Sequence, residues 1–307
     1  MKRLTATGRV WGEPEVEAAC AAVRAGHWTA RYEALEFEKQ IAARVGVRKA
    51  AFCNSGSSAN LLALSALGLP KGAEVITPAA TFPTTVAAIL HAGLVPVFVD
   101  VEIGTYNASV ASILNAIGPT TKAAIIPHTL GNPVNIMRLR ARSDILVIED
   151  ACDALGSKIH GAACGSLGHL ATLSFYPAHH VTTGQGGCVL TNDPALDVKV
   201  RSFRDWGRSC WCLPAEQNTC GKRFEWEFEG LPAGYDHKYV FDHVGFNLAG
   251  TDIQAAIGLE QLKRLDGFHE RRTRNWTRLR DGLSEIDEAV LFLPRHDTFA
   301  EPSWFGF

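Results

Sequence analysis

The sequence predicts an α/β fold with a mostly parallel seven-stranded sheet sandwiched by helices. Three observations predict it. Seven short, nearly unbroken apolar runs recur along the first two-thirds of the chain, helical stretches separate several of them, and 307 residues at 47% hydrophobic are enough for a large core.

The elements follow in order. "AAFCN" (50–54) reads as a strand and "SSANLLALSALG" after it as a helix. "EVITPA" (74–79) leads into the helix-like "TTVAAILHAG". "VPVFVDV" (95–101), "AAIIPHT" (123–129), "DILVIED" (144–150), "HLATLSFY" (169–176) and "GCVLTN" (187–192) complete the strands. In such sheets ligands bind at the carboxyl ends of the strands. The pattern breaks over 208–245, a Gly-, Pro-, Cys- and aromatic-rich stretch without a steady period, whose length predicts a functional loop. "TDIQAAIGLEQLKRLDGFHERRTRNWTRLRDGLSEI" then predicts one long amphipathic helix, capped by Thr251 or Asp252. Two parts are expected: a large cofactor-binding domain over 1–250 and, over 251–307, the long helix with the start of a C-terminal domain.

A formal net charge of −2 gives no strong field for nucleic acid or a membrane surface, so a metabolite-sized partner is expected. The first residues hold no apolar signal-peptide core, and no run of about 18 apolar residues appears, so a cytoplasmic protein is expected. Four of the eight cysteines, Cys20, Cys53, Cys164 and Cys188, sit among apolar or small residues and read as packing.

The residues that can carry chemistry cluster at strand ends. "NSGSSAN" (54–60) sets small residues between a strand and a helix, where main-chain N–H groups can approach an anion and Ser57 or Ser58 can add a hydroxyl. A capped tight turn explains it equally well. "VIEDACDALGS" brings Glu149 and Asp150 to the end of a buried strand, the place where an acid can pair with a protonated pyridine nitrogen. "TPAATFPTT" places Phe82 where a ring can stack on a flat cofactor. "SFYPAHH" carries His179 and His180 just before a glycine-rich turn. Cys210, Cys212 and Cys220 share one loop, and Cys152 precedes Cys210 with 57 residues between. Four thiolates can hold a [2Fe–2S] cluster or a zinc ion. The spacing leaves cluster, zinc and no metal open.

In order, "GSSANLLAL", "TFPTT", "VPVFVDVE", "IEDACDALGS", "SFYPAHH" and "GFN" (245–247) resemble the DegT/DnrJ/EryC1/StrS sugar aminotransferase family of fold-type I pyridoxal-phosphate enzymes. The resemblance implies a phosphate site at Gly56, Ser57 and Ser174, a ring-nitrogen partner in Asp150 and a stacking ring in Phe82. It also implies that Asn247 reaches the phosphate of a neighbouring subunit in a homodimer. Most of the family has a cofactor-linking lysine where this chain has His179. Imidazole forms no stable Schiff base but moves protons near neutral pH. Pyridoxamine phosphate held non-covalently, with His179 as base, is therefore expected in place of amino-group exchange. Tyr176 and Asp153 are expected to help block amino transfer, and His180 to be structural.

With the cysteine set, the resemblance narrows to the family's nucleotide-sugar 3-dehydrases. It implies a [2Fe–2S] cluster on Cys152, Cys210, Cys212 and Cys220. The implied substrate is a CDP-linked 4-keto-6-deoxyhexose, with a TDP-linked sugar as the alternative, and the implied electron donor is an NADH-dependent flavin iron–sulfur reductase. Lipopolysaccharide O-antigen is the implied destination. Two departures are expected to matter. Gln185 replaces a more usual Glu, and the segment from Pro133 to Glu149 is short. Family members continue past "SWFGF", so the resemblance implies a C-terminally truncated chain, with a non-catalytic cofactor binder as the second reading and a sugar aminotransferase as the third.

Overall fold

The computed structural model describes residues 8, 10–26, 28–212, 218–286, 288 and 290–307. The first seven residues, read above for a signal peptide, and residues 213–217 of the cysteine loop lie outside the described residues.

Helices α1 (Glu13–Arg24) and α2 (Tyr32–Val45) lead into β1 (Lys49–Cys53). Then come α3 (Gly56–Ala66), β2 (Glu74–Pro78), α4 (Pro83–His91), β3 (Val95–Val99), α5 (Val110–Asn115), β4 (Thr121–Pro127), α6 (Ile136–Arg140) and β5 (Leu146–Asp150). Two short strands, β6 (Lys158–Ile159) and β7 (Ala162–Ala163), precede β8 (Leu170–Ser174), β9 (Gly187–Thr191) and α7 (Pro194–Arg204). The chain continues through α8 (Asp252–Leu262), α9 (Leu265–Leu283) and β10 (Ala300–Glu301).

All seven expected strands form one sheet in the order β1-β9-β8-β5-β4-β2-β3. Pairing is parallel from β8 through β5, β4 and β2 to β3, and antiparallel only on the two sides of β9. β1 therefore runs in the same direction as β8, and the carboxyl ends of β1, β2, β5 and β8 share one edge.

Alternation along the strands explains the layers, because successive side chains leave a strand on opposite faces. Ala50 and Phe52 join a core with Phe37, Ile41 and Phe175, while Ala51 and Cys53 join another with Leu62, Ile89 and Val200. Ile125 and Ile148 enter the second core, and their neighbours Ile126 and Val147 enter a third with Ile113 and Leu139.

Two expectations about the later chain resolve differently. Thr251 caps α8, its hydroxyl accepting from the Gln254 N–H while the Gln254 side chain returns to the Thr251 N–H. The single long helix is instead two, interrupted at Lys263–Arg264. Beside the break, Gln261 and Arg264 donate to the buried carboxylate of Glu15 at 2.6 and 3.0 Å, anchoring this part of the chain onto α1. Farther on, β10 pairs with β6, bringing residues 300–305 back across the sheet's functional edge. No described helix is long and apolar enough to cross a membrane.

Candidate active site

Four parallel strand ends build the crevice. After β1, the Ser55 hydroxyl caps α3 by accepting the Ser58 N–H at 3.1 Å. Gly56 opens that helix with no room for a side chain: a Cβ would lie 2.6 Å from Ser174 Cβ and 3.0 Å from Cys152 Sγ. The end of β8, the residue after Asp150's neighbour and the start of α3 thus meet at Gly56, with main-chain N–H groups at the contact. Ser57 donates to the Thr84 hydroxyl at 2.9 Å, tying α3 to α4. Phe82 stands 70% exposed at the head of α4.

Asp150 ends β5, buried, on a polar network that the sequence did not announce. Its Oδ2 accepts from Asn60 Nδ2 at 2.9 Å and from the Thr85 hydroxyl at 2.8 Å, and its Oδ1 accepts the Cys152 N–H at 3.3 Å. The Thr172 hydroxyl donates to Asn60 Oδ1 at 2.6 Å, which fixes the Asn60 amide. All three supporting side chains are buried. The available signal was an asparagine within the apolar face of "SSANLLAL". Glu149, beside Asp150, points to the other side of the sheet: it accepts from the N–H groups of Gly165, Leu167 and Gly168 and pairs with buried His128 at 2.9 Å.

His179 follows β8. Its Nδ1 lies 2.6 Å from the Cys152 carbonyl, which can only accept, so Nδ1 carries the proton and Nε2 keeps its lone pair. Asp153 lies 3.4 Å from the same Nδ1. Phe305 stacks on the imidazole with centroids 5.1 Å apart, and Tyr176 meets its edge at 6.3 Å. Burial pulls the His179 pKa below the usual imidazole value, against the Cys152 carbonyl and Asp150. Burial, reinforced by Asp150, raises Asp153 to about 7. His180 is fully buried, bonds the Ser303 carbonyl at 2.8 Å and is driven by burial to about 3, as fits a structural residue.

Among the described residues, the loop cysteines gather round a histidine. Cys210, Cys212 and His237 place their ligand atoms within 4.8 Å of one another, and His237 Nε2 lies 3.4 Å from Cys210 Sγ and 3.6 Å from Cys220 Sγ. Burial opposes thiolate formation at Cys212, but hydrogen bonds involving Thr219, Cys220 and Cys210 bring it down to about 7. Cys152 borders the crevice: its thiol packs toward Gly56, and burial and Asp150 push its pKa well up. The chain turns after β5 to deliver Cys152 beside the start of α3. His237 joins the loop thiols; its place in "YDHKY", beside the cysteines, was the signal. The loop still borders the crevice. Its flanking residues 246–248 run beside the end of α7, and Leu248 accepts the Asn54 N–H at 2.9 Å. Asn247 is exposed in this ladder, opposite Asp205.

Over residues 11–307 the sequence matches the DegT/DnrJ/EryC1/StrS aminotransferase family. The chain belongs to that family. It is 51% identical over 285 residues to the dTDP-4-dehydro-2,6-dideoxy-D-glucose 3-dehydratase of Saccharopolyspora spinosa, covering 89% of this chain and 61% of that protein. It is 46% identical over 312 residues to the lipopolysaccharide biosynthesis protein RfbH of Salmonella typhimurium, covering 98% and 71%. Among solved structures, E. coli GDP-4-keto-6-deoxy-D-mannose-3-dehydratase with bound hydrated PLP superposes with a TM-score of 0.85 at 29% identity, covering 98% of this chain and 77% of that one. The chain spans about three-fifths of the first relative's length.

The crevice fits the family's cofactor. The Gly56 cradle, a helix N-terminus and the Asp150 carboxylate are in place, and position 179 offers imidazole instead of an amine. Filling the cradle tests that fit. Gly56→Ala is expected to cost about 1–3 kcal/mol of stability by overpacking and to weaken pyridoxamine phosphate binding about tenfold or more, roughly 1.4 kcal/mol. A fluorescence titration beside a thermal melt checks both.

Proposed function

We propose that this chain carries the cofactor site of a 3-dehydrase that removes the C3 hydroxyl of a nucleotide-linked 4-keto-6-deoxyhexose. The observation that carries the reading is His179. It replaces an amine with an imidazole whose Nδ1 proton is committed to Cys152, leaving Nε2 as a base in a site otherwise suited to pyridoxal chemistry. CDP is the proposed nucleotide, in the manner of CDP-4-keto-6-deoxy-D-glucose 3-dehydrase. The 51% identity to a protein named for a dTDP sugar favours TDP as the second reading.

The chemistry supplied by bound pyridoxamine phosphate is an amine for the C4 ketone and an electron-accepting ring. Gly56, Ser57 and Ser174, with the α3 N-terminus, would bind its phosphate. Asp150 would hold the proton on the ring nitrogen, and Phe82 would cover the ring. His179 Nε2 would take a proton from the carbon bearing the amine, and the imidazolium so formed would face Asp153 and the Cys152 carbonyl. Asp153, beside Nδ1 and raised to about 7, would take up charge changes on the imidazolium from that side. Tyr176 would line the approach. Asn247 would serve a partner subunit's phosphate in a homodimer.

A [2Fe–2S] cluster, when bound, supplies single electrons, and an NADH-dependent flavin iron–sulfur reductase would be their source. Cys210, Cys212 and Cys220 would supply three ligands. Likeness to the dehydrases supplies Cys152 as the fourth, whereas geometry supplies His237. Iron and acid-labile sulfide analysis of protein purified without oxygen, with a visible spectrum, decides. Equal iron and sulfide, lost together in Cys212→Ser, is the expected result. Loss in Cys152→Ser but not in His237→Ala assigns Cys152, and the reverse assigns His237. Bound cofactor with no iron in any preparation would overturn the cluster and leave a cluster-free dehydratase. Formation of an amino sugar in place of a 3-deoxy product would overturn the dehydrase itself.

A further inference from the structure

We propose that Arg272 is a positioning residue whose guanidinium clamps the turn carrying His179 to residues 303–305 and so fixes the His179 ring. The inference rests on the reading of His179 as the proton-transfer group. Arg272 lies on α9, in neither the crevice nor the cysteine loop. Nη2 donates to the carbonyls of Ala178 at 3.3 Å and His179 at 3.2 Å. Nη1 donates to the carbonyls of Phe305 at 3.1 Å and Trp304 at 3.4 Å. One planar fork thus spans two segments that are more than 120 residues apart in sequence.

The 303–305 segment is separately pinned to the large sheet unit, the Phe305 N–H donating to the Leu130 carbonyl at 2.9 Å and the Ser303 N–H to Ser157 Oγ at 2.8 Å, while the buried His180 joins the two segments through the Ser303 carbonyl. Residue His269, one turn before Arg272, meets Ser303 Oγ at 2.8 Å. The clamp brings the Phe305 ring over the imidazole face while the Cys152 carbonyl holds Nδ1. Edge and face of the ring are then both fixed, and its remaining freedom is rotation of the turn itself, which Arg272 restrains. A lysine offers a point charge without the fork, so it can bond one segment well but not both.

The test uses the full chain, with and without pyridoxamine phosphate, comparing wild type, Arg272→Ala and Arg272→Lys by hydrogen–deuterium exchange. In Arg272→Ala, exchange across 176–181 and 303–307 is expected to rise together, by about tenfold, with β5 unchanged. Arg272→Lys is expected to lie between. In the turnover assay, kcat should fall about 10²-fold with KM unchanged, as misplacement of a reacting group predicts. Millimolar guanidinium ion should restore part of it. Wild-type exchange over 176–181 in both variants, or a loss confined to KM, would overturn the clamp. If Arg272→Ala does not fold, Arg272→Lys carries the same exchange test. His179→Asn is run alongside: full turnover there would sink the base assignment, whereas the exchange result judges the clamp independently.

Discussion

Replacing His179 with asparagine is expected to lower C3-deoxygenation by about 10²- to 10⁴-fold, the usual contribution of a positioned general base. The substitution is chosen to remove the base and little else. An asparagine amide can still donate to the Cys152 carbonyl, which now takes the Nδ1 proton at 2.6 Å. It is close enough in size that Phe305 and Tyr176 keep a neighbour. Cofactor binding should therefore survive, since Gly56, Ser174 and Asp150 are untouched. What disappears is the Nε2 lone pair. Burial keeps this imidazole neutral at pH 7 by pulling its pKa down, so the wild-type base is already in its working form. The measurement is single-turnover formation of the 3-deoxy product, next to a cofactor titration. A variant with the full rate would remove His179 from the reaction. A variant that loses cofactor and rate together would make the histidine a binding residue.

How far the sequence carried this site depends on the kind of information each residue holds. The seven strands were legible because burial on both faces leaves almost no polar residue in them, as in "AAIIP" and "LVIE". The strand-end stretches around Gly56 and Asp150 were legible because parallel strands deliver their carboxyl ends to one edge, while the roles of Gly56, Ser174 and His179 were read from the family resemblance. Partners that arrive from distant segments were not legible. Asn60 and Thr85 support Asp150 from two helices, and neither spacing nor periodicity reports which buried polar groups will share an acceptor. Arg272 reaches the His179 turn from α9 and Phe305 reaches the ring from the segment after β10; the separation of α8 from α9 at Lys263–Arg264 has no proline or glycine to mark it. The contacts beside it are tertiary, to the buried Glu15 carboxylate on α1, and no local spacing reports them. The second role of Cys152 was equally hidden: the turn after β5 places its thiol beside the start of α3 and its carbonyl on His179, contacts that its spacing to the loop cysteines does not report.

Asp150→Asn is expected to lower turnover by about 10²- to 10³-fold, the range found when one group that stabilises developing charge is removed, without destabilising the free chain. The hydrogen bonds decide both signs. Asn60 is held with its amide toward Asp150, because its carbonyl oxygen takes the Thr172 hydroxyl. With Asn60 and Thr85 both donating to Oδ2, an asparagine at 150 must put its oxygen there. Its NH₂ then occupies the Oδ1 side, facing the Cys152 N–H and the place proposed for the ring nitrogen. A donor now opposes a donor, the ring nitrogen loses its proton, and the ring accepts electrons poorly. In the free chain the same change replaces a buried carboxylate with a neutral amide that keeps both bonds at Oδ2 and gives up only the long 3.3 Å bond from the Cys152 N–H. Burying an ionised group is costly, so the thermal midpoint should hold or rise. Turnover and the midpoint are measured on the same preparation. A fall in both would make Asp150 a structural acceptor for Asn60 and Thr85. A fall in turnover alone would leave the cofactor's ring nitrogen as the reason a carboxylate sits buried at the end of β5.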